Sequence, residues 1–178
     1  MKWALSSKNV GQIKLEDLRS KMKENNIHAY IIPSEDEHQS EYVANYDKRR
    51  EWISGFTGSA GVAVVTLNDA ALWTDGRYFI RAEQELNMNL WKLMKDGEPN
   101  VPDIEEWLGS ELEDGNTVAQ NAKFVSICWF IYYIKIMKII MHLIYAEIFS
   151  FLTNKLIGKT GKLNWRIMDY VLLIVHKT

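Results

Sequence analysis

The chain has 178 residues, 47% of them apolar and 25% charged, with a formal net charge of −2. That composition is ordinary for a globular protein, and the length suits one domain or little more. The single cysteine, Cys128, excludes an internal disulfide and a multi-cysteine zinc site, so a secreted, cross-linked scaffold is not expected.

The small net charge hides two different halves. Residues 1–118 hold 13 Lys+Arg against 21 Asp+Glu, whereas residues 119–178 hold 8 against 2. The boundary expected from this shift lies at Val118. At the start, only Trp3 to Leu5 form an apolar run, well short of the hydrophobic region of a signal peptide. A cytoplasmic location follows by default, and no nucleic-acid partner is expected.

In chain order, Leu15, Leu18 and Met22 recur at helical spacing among charged residues, which predicts an amphipathic helix over 14–25. Tyr30 to Ile32 is a short apolar run stopped by Pro33 and reads as a buried strand. Gly61 to Thr66 and Ala71 to Thr74 flank the turn residues Leu67-Asn68-Asp69, which predicts a hairpin. Asp75-Gly76 offers another turn, and Arg77 to Leu86 is rich in helix formers. Met88 to Met94 alternates as a strand. Pro102 and Asp103 suit a helix start, with Glu105 and Glu106 in the first turn and Leu108 and Leu112 one turn apart. The order predicts an α/β domain, a mixed sheet flanked by helices.

Three features could carry chemistry. The glycines of GFTGSAG, Gly55 to Gly61, could expose N–H groups to an anion, but a tight turn feeding a buried strand is favoured, because no P-loop or dinucleotide spacing follows. His38 sits among Glu35, Asp36, Glu37 and Glu41, yet the spacing matches no metal motif, and a solvated acidic helix start is expected instead. Arg77 follows directly from a strand and an Asp-Gly turn, so its guanidinium projects from the sheet end, where it can pair with Asp75 or meet a carboxylate or carbonyl of a peptide. By residue type alone, the pairing is favoured. Trp73, Tyr78 and Phe79 are expected to pack around the strand end.

The phrases AYIIPS (Ala29 to Ser34), HQSEY (His38 to Tyr42), Arg49-Arg50, SGFTGSAG (Ser54 to Gly61) and WTDGRYF (Trp73 to Phe79) together resemble the N-terminal, creatinase/prolidase-like domain of cytosolic Xaa-Pro aminopeptidases. A weaker likeness continues through LWKLMKDG and EEWL, so the resemblance covers roughly residues 12–118. It implies the mixed α/β architecture, and it reverses the weighing of Arg77, whose counterpart in the family reaches the peptide-binding cleft. It also implies a substrate, a peptide with proline at its second position. The hydrolysis uses Mn(2+) ions held by two aspartates, a histidine and two glutamates of a later domain. None of those ligand motifs occurs in this chain, so no catalytic residue, no metal ligand and no cofactor is expected here. The expectation is a truncated, inactive substrate-gating and dimer-supporting domain that can pair with full-length subunits. The alternatives are a non-catalytic regulatory partner of such subunits and a membrane-associated fragment.

Residues 119–178 resemble no family, lack proline and are crowded with Ile, Lys, Tyr, Phe, Met and Leu. A membrane span needs about 20 apolar residues. Lys135, Lys138, His142 and Glu147 interrupt Phe124 to Leu152, which argues against a membrane anchor. The stretch reads as a hydrophobic, basic tail of unassigned fold, with the look of translated intron or an aberrant splice end.

Overall fold

The computed structural model describes residues 2–124 and 171–174. Its centre is one six-stranded sheet. In chain order the elements are helix α1 (Lys2–Glu24), strand β1 (Ala29–Ile32), helix α2 (Arg49–Ser54), strands β2 (Val62–Thr66) and β3 (Ala70–Thr74), helix α3 (Phe79–Glu85), strand β4 (Lys92–Lys95), helix α4 (Ile104–Glu111), and strands β5 (Thr117–Gln120) and β6 (Val171–Ile174). Across the sheet the strands run β4-β3-β2-β1-β5-β6.

Pairing is mixed. β1–β2, β2–β3 and β5–β6 are antiparallel, while β3–β4, joined through α3, and β1–β5, separated in the chain by the rest of the β2–β4 half-sheet, are parallel. The expected hairpin is β2–β3, closed where Thr66 N donates to Asp69 O at 2.9 Å.

The side-chain alternation of the strands divides the interior in two. One face presents Ala63, Val65, Leu72 and Ala119, which pack with Leu15 and Met22 of α1, Ile53 and Phe56 at the end of α2, and Ala82 of α3. The opposite face presents Ile31, Val64, Trp73 and Val118, covered by Ile104, Trp107, Leu108 and Leu112 of α4 and its end. Burial on both faces explains why β3 is buried at every position rather than alternating with exposed polar residues. Trp73 and Trp107 meet edge to face at 5.3 Å, and Trp73 Nε1 donates to Pro102 O at 2.9 Å, so its one polar atom is satisfied.

Helix α4 begins as its residues predict. Asp103 is its N-cap, and its carboxylate accepts from Glu106 N at 2.7 Å. Other expectations need correcting. Residues 35–40 form no helix: Asp36 is buried, and its Oδ1 accepts from His38 N and Ser40 N, both at 2.9 Å, which folds this segment as a turn around one carboxylate. Those bonds, the one from Ser40 foremost, hold the Asp36 carboxyl below the ordinary range. The strand expected over 88–94 starts only at Lys92, because Leu90 and Trp91 N–H both return to Asn87 O in a turn.

The expected boundary at Val118 falls inside β5, and β6 comes from within residues 119–178. The segment 125–152, weighed above as a membrane span, lies outside the described residues. Among the described residues no helix is long and apolar enough to cross a membrane.

Candidate functional site

The chemistry-bearing side chains gather at one end of the sheet, where β2 begins and β3 ends. The GFTGSAG segment there is a turn whose carbonyls are held from inside. Arg50 Nη2 donates to Gly58 O, Thr74 Oγ1 to Ala60 O at 2.7 Å, and Ser34 Oγ to Gly61 O at 2.5 Å. Its Thr57 N–H points to a carboxylate of this chain, Glu85 Oε2, at 2.7 Å, and Thr57 Oγ1 meets Glu85 Oε1 at 2.7 Å. The turn reading of this motif therefore holds. Gly61 has φ +154°, and a Cβ built on it would lie 2.7 Å from Trp73 O, so the β2–β3 approach itself requires glycine.

Arg77 sits just beyond β3, in the turn closed by Tyr78 N donating to Asp75 O at 3.0 Å. Asp75 accepts from Arg77 Nε at 2.9 Å and Nη2 at 2.7 Å, a bidentate pair on one edge of the guanidinium. This hydrogen-bonded pair lowers the Asp75 carboxyl and raises the Arg77 guanidinium relative to their ordinary values. The Arg77 side chain nevertheless remains 71% exposed. The pair fixes the fork without burying it, and Asp75 does not engage Nη1. Tyr78, whose ring lies 5.4 Å from the guanidinium, is anchored by a 2.6 Å hydrogen bond between its hydroxyl and Ser59 Oγ and by edge-on packing against Phe56. That bond to Ser59 lowers the Tyr78 phenol below its usual value. Beside Arg77, Ile80 is 73% exposed.

Arg50, named in the sequence only as one of a basic pair, is the residue that sequence reasoning missed. It is 5% exposed, and its Nε and Nη1 atoms have no hydrogen-bond acceptor. Its guanidinium lies 4.8 Å from the Phe56 ring. Burial pushes its pKa down, against the pull of Glu51, Glu35 and Glu85. Its neighbour Arg49 is instead spent on structure, donating to Glu35 O at 2.7 Å and Asp47 Oδ1 at 3.0 Å. His38 faces Glu37 at 3.3 Å on the surface. Among the described residues no three His, Cys, Asp or Glu side chains converge as metal ligands.

The creatinase/prolidase N-terminal domain family matches residues 14–140. The chain belongs to that family. Curated relatives of this creatinase/prolidase domain include Xaa-Pro aminopeptidase 1 of Dictyostelium discoideum, 53% identical over 113 residues that make up 64% of this chain and 18% of that protein. A probable Xaa-Pro aminopeptidase P of Metarhizium robertsii is 57% identical over 105 residues, or 59% of this chain and 17% of that one. The chain thus spans less than a fifth of the length of these relatives.

Among solved structures, the X-prolyl aminopeptidase of Caenorhabditis elegans, described as a cytosolic enzyme with a di-nuclear active site, superposes with a TM-score of 0.59 at 43% identity, covering 63% of this chain and 18% of that one. A Streptococcus pyogenes aminopeptidase structure, 17% identical with a TM-score of 0.54, covers 70% of this chain and 83% of its own, and shares the fold. The mixed sheet and flanking helices expected from the sequence are those of the creatinase/prolidase N-terminal domain.

Proposed function

We propose that this domain serves as the substrate-gating and dimer-supporting N-terminal part of a cytoplasmic Xaa-Pro aminopeptidase, with Arg77 as its contact to the peptide. In this reading the substrate is a peptide with proline at the second position. The Mn(2+)-dependent hydrolysis belongs to a catalytic domain of the kind found in full-length relatives, not to residues 1–124. The observation that carries the reading is the state of Arg77. A guanidinium held by a bidentate carboxylate at 2.7 and 2.9 Å, yet 71% exposed, is oriented for something outside its own domain. A surface ion pair of this kind adds little to stability, so its rigidity has no evident structural purpose.

The role of Asp75 follows as that of a positioning residue. It fixes the fork and reduces its net charge, which suits a neutral peptide carbonyl at Nη1. The chain alone, given manganese, is expected to release no amino acid from Xaa-Pro peptides, and chelator-sensitive release above a mock preparation would contradict this.

The direct test joins residues 1–124 to an intact catalytic domain of a relative. Arg77→Ala is expected to reduce peptide turnover by about ten-fold or more, the scale of a hydrogen bond to a charged group. Arg77→Lys is not expected to restore it, because an ammonium cannot reproduce the planar fork. Unchanged kinetics in Arg77→Ala would return Arg77 to a surface pairing with Asp75 alone.

A further inference from the structure

Beside the GFTGSAG turn lies a cavity of about 230 Å³ whose lining includes Ser34, Val43, Lys48, Arg50, Glu51 and Ser59. Its floor is a cation without a counterion. Arg50 forms no ion pair with any described residue, and two of its guanidinium nitrogens have no acceptor. Two of the three acids that act on it from a distance are engaged elsewhere. Glu51 pairs with Lys48 at 3.6 Å, and Glu85 takes both the N–H and the hydroxyl of Thr57. Leaving a buried guanidinium uncompensated is costly, and an anion reaching it from the cavity would recover part of that cost.

We propose that this cavity is a binding site for a carboxylate group. Arg50 lines the cavity, and its Nη2 carries a second N–H beyond the one donated to Gly58 O, the hydrogen through which a carboxylate would engage it, since Nε and Nη1 are themselves buried. Ser59 adds a hydroxyl on the wall, held by its hydrogen bond with the Tyr78 hydroxyl, whereas the one hydrogen of Ser34 Oγ is already donated to Gly61 O. The acids Glu41 and Glu51 on the same wall repel a doubly charged anion more than a single charge, which favours carboxylate over phosphate. Val43 and the Tyr42 ring offer apolar surface to the carbon body that a carboxylate carries. The site does not depend on the role given to Arg77.

The test uses the full 178-residue chain and acetate, exchanged for chloride at constant ionic strength. Two readouts are followed, the NMR signal of the Arg50 Nε–H, assigned by its loss in Arg50→Lys, and the thermal midpoint. The expected result is a saturable shift of that signal with a rise in midpoint, the rise weakened about ten-fold or more in Arg50→Lys, where the signal itself is lost. Val43→Trp fills the half-buried wall while leaving Arg50 in place, and it is expected to abolish both responses; it keeps the test decisive if Arg50→Lys does not fold. Arg77→Ala is expected to change neither. A non-saturating response, or an equal response to sulfate, overturns the proposal. Two peptides separate the sources of the carboxylate. One carries it only at the C terminus, and the other is amidated and carries it only on an aspartate. Binding of either more tightly than acetate identifies the source, and binding of neither overturns the proposal.

Discussion

Gly61→Ala tests the packing at the head of the β2–β3 hairpin, and Gly97→Ala is its built-in control. Both glycines have positive φ, +154° and +86°, so each substitution forces alanine into a sparsely populated backbone region at about 1–3 kcal/mol. Only at Gly61 does the new methyl also meet a fixed obstacle. Its Cβ would fall 2.7 Å from Trp73 O and 3.2 Å from Arg50 Nη1, whereas nothing lies within 4 Å of a Cβ at Gly97. Trp73 O belongs to a strand buried between two cores and cannot retreat without disturbing the Trp73–Trp107 contact. A clash of that kind adds about 1–3 kcal/mol, as overpacking does elsewhere. The expected loss is therefore about 2–6 kcal/mol for Gly61→Ala against about 1–3 for Gly97→Ala, a large share of the 5–15 kcal/mol typical of a whole protein. Guanidinium unfolding followed by tryptophan fluorescence measures both. Equal losses in the two variants, or a loss under about 1 kcal/mol at Gly61, would refute the steric argument.

Trp107→Ala, which empties the contact with Trp73 inside the α4 core, is expected to cost about 3–5 kcal/mol by the same unfolding measurement. Asp103→Ala removes the cap on Glu106 N and should cost about 1 kcal/mol, while Asp103→Ser should recover most of it. The Asp36 carboxyl is lower in the folded than in the unfolded state, so its contribution is present above the unfolded pKa and lost as pH falls through the folded one. Asp36→Asn should accordingly flatten the acid limb of a stability–pH profile, and an unchanged limb would contradict that. Deleting residues 171–178 opens the outer edge of β5, and amide exchange in Thr117–Gln120 is expected to accelerate by about ten-fold or more while β2 and β3 are unaffected.

The residues spelled out much of this fold, and where they did not, the reasons are local. The β2–β3 hairpin, the α4 start and the strand at Ala29–Ile32 carry strong signals, namely β-branched runs, turn residues and a capping aspartate. Helix α2 is too short for periodicity to register, and its only mark is Gly55, which ends it in the left-handed conformation at φ +80°. Strand β5 reads TVAQ, half polar and buried at all four positions, so no alternation announces it, and the charge shift at Val118 pointed to a boundary in its middle.

At the candidate site, the Asp75–Arg77 pairing was legible because the partners lie two residues apart. The solitary state of Arg50 was not legible, since it arises from carbonyls and a ring brought in by the turn at 55–61.

The strand order also dictates a sequence of events in folding. β2 and β3 are joined by a tight turn and can pair within microseconds of being free to move, but β1 waits for its other neighbour until β5 has been made, some ninety residues later in the chain. On a ribosome adding about 5–20 residues per second, the central strand therefore spends several seconds with one edge unpaired and ready to accept any extended segment nearby. The N-terminal α1, docked on β2 through Arg19 Nε donating to Thr66 O at 3.0 Å, can stiffen the growing half-sheet during that interval but cannot close its open side. Nascent-chain vulnerability in this domain is thus concentrated on Ala29–Ile32, a strand that ends up paired on both edges.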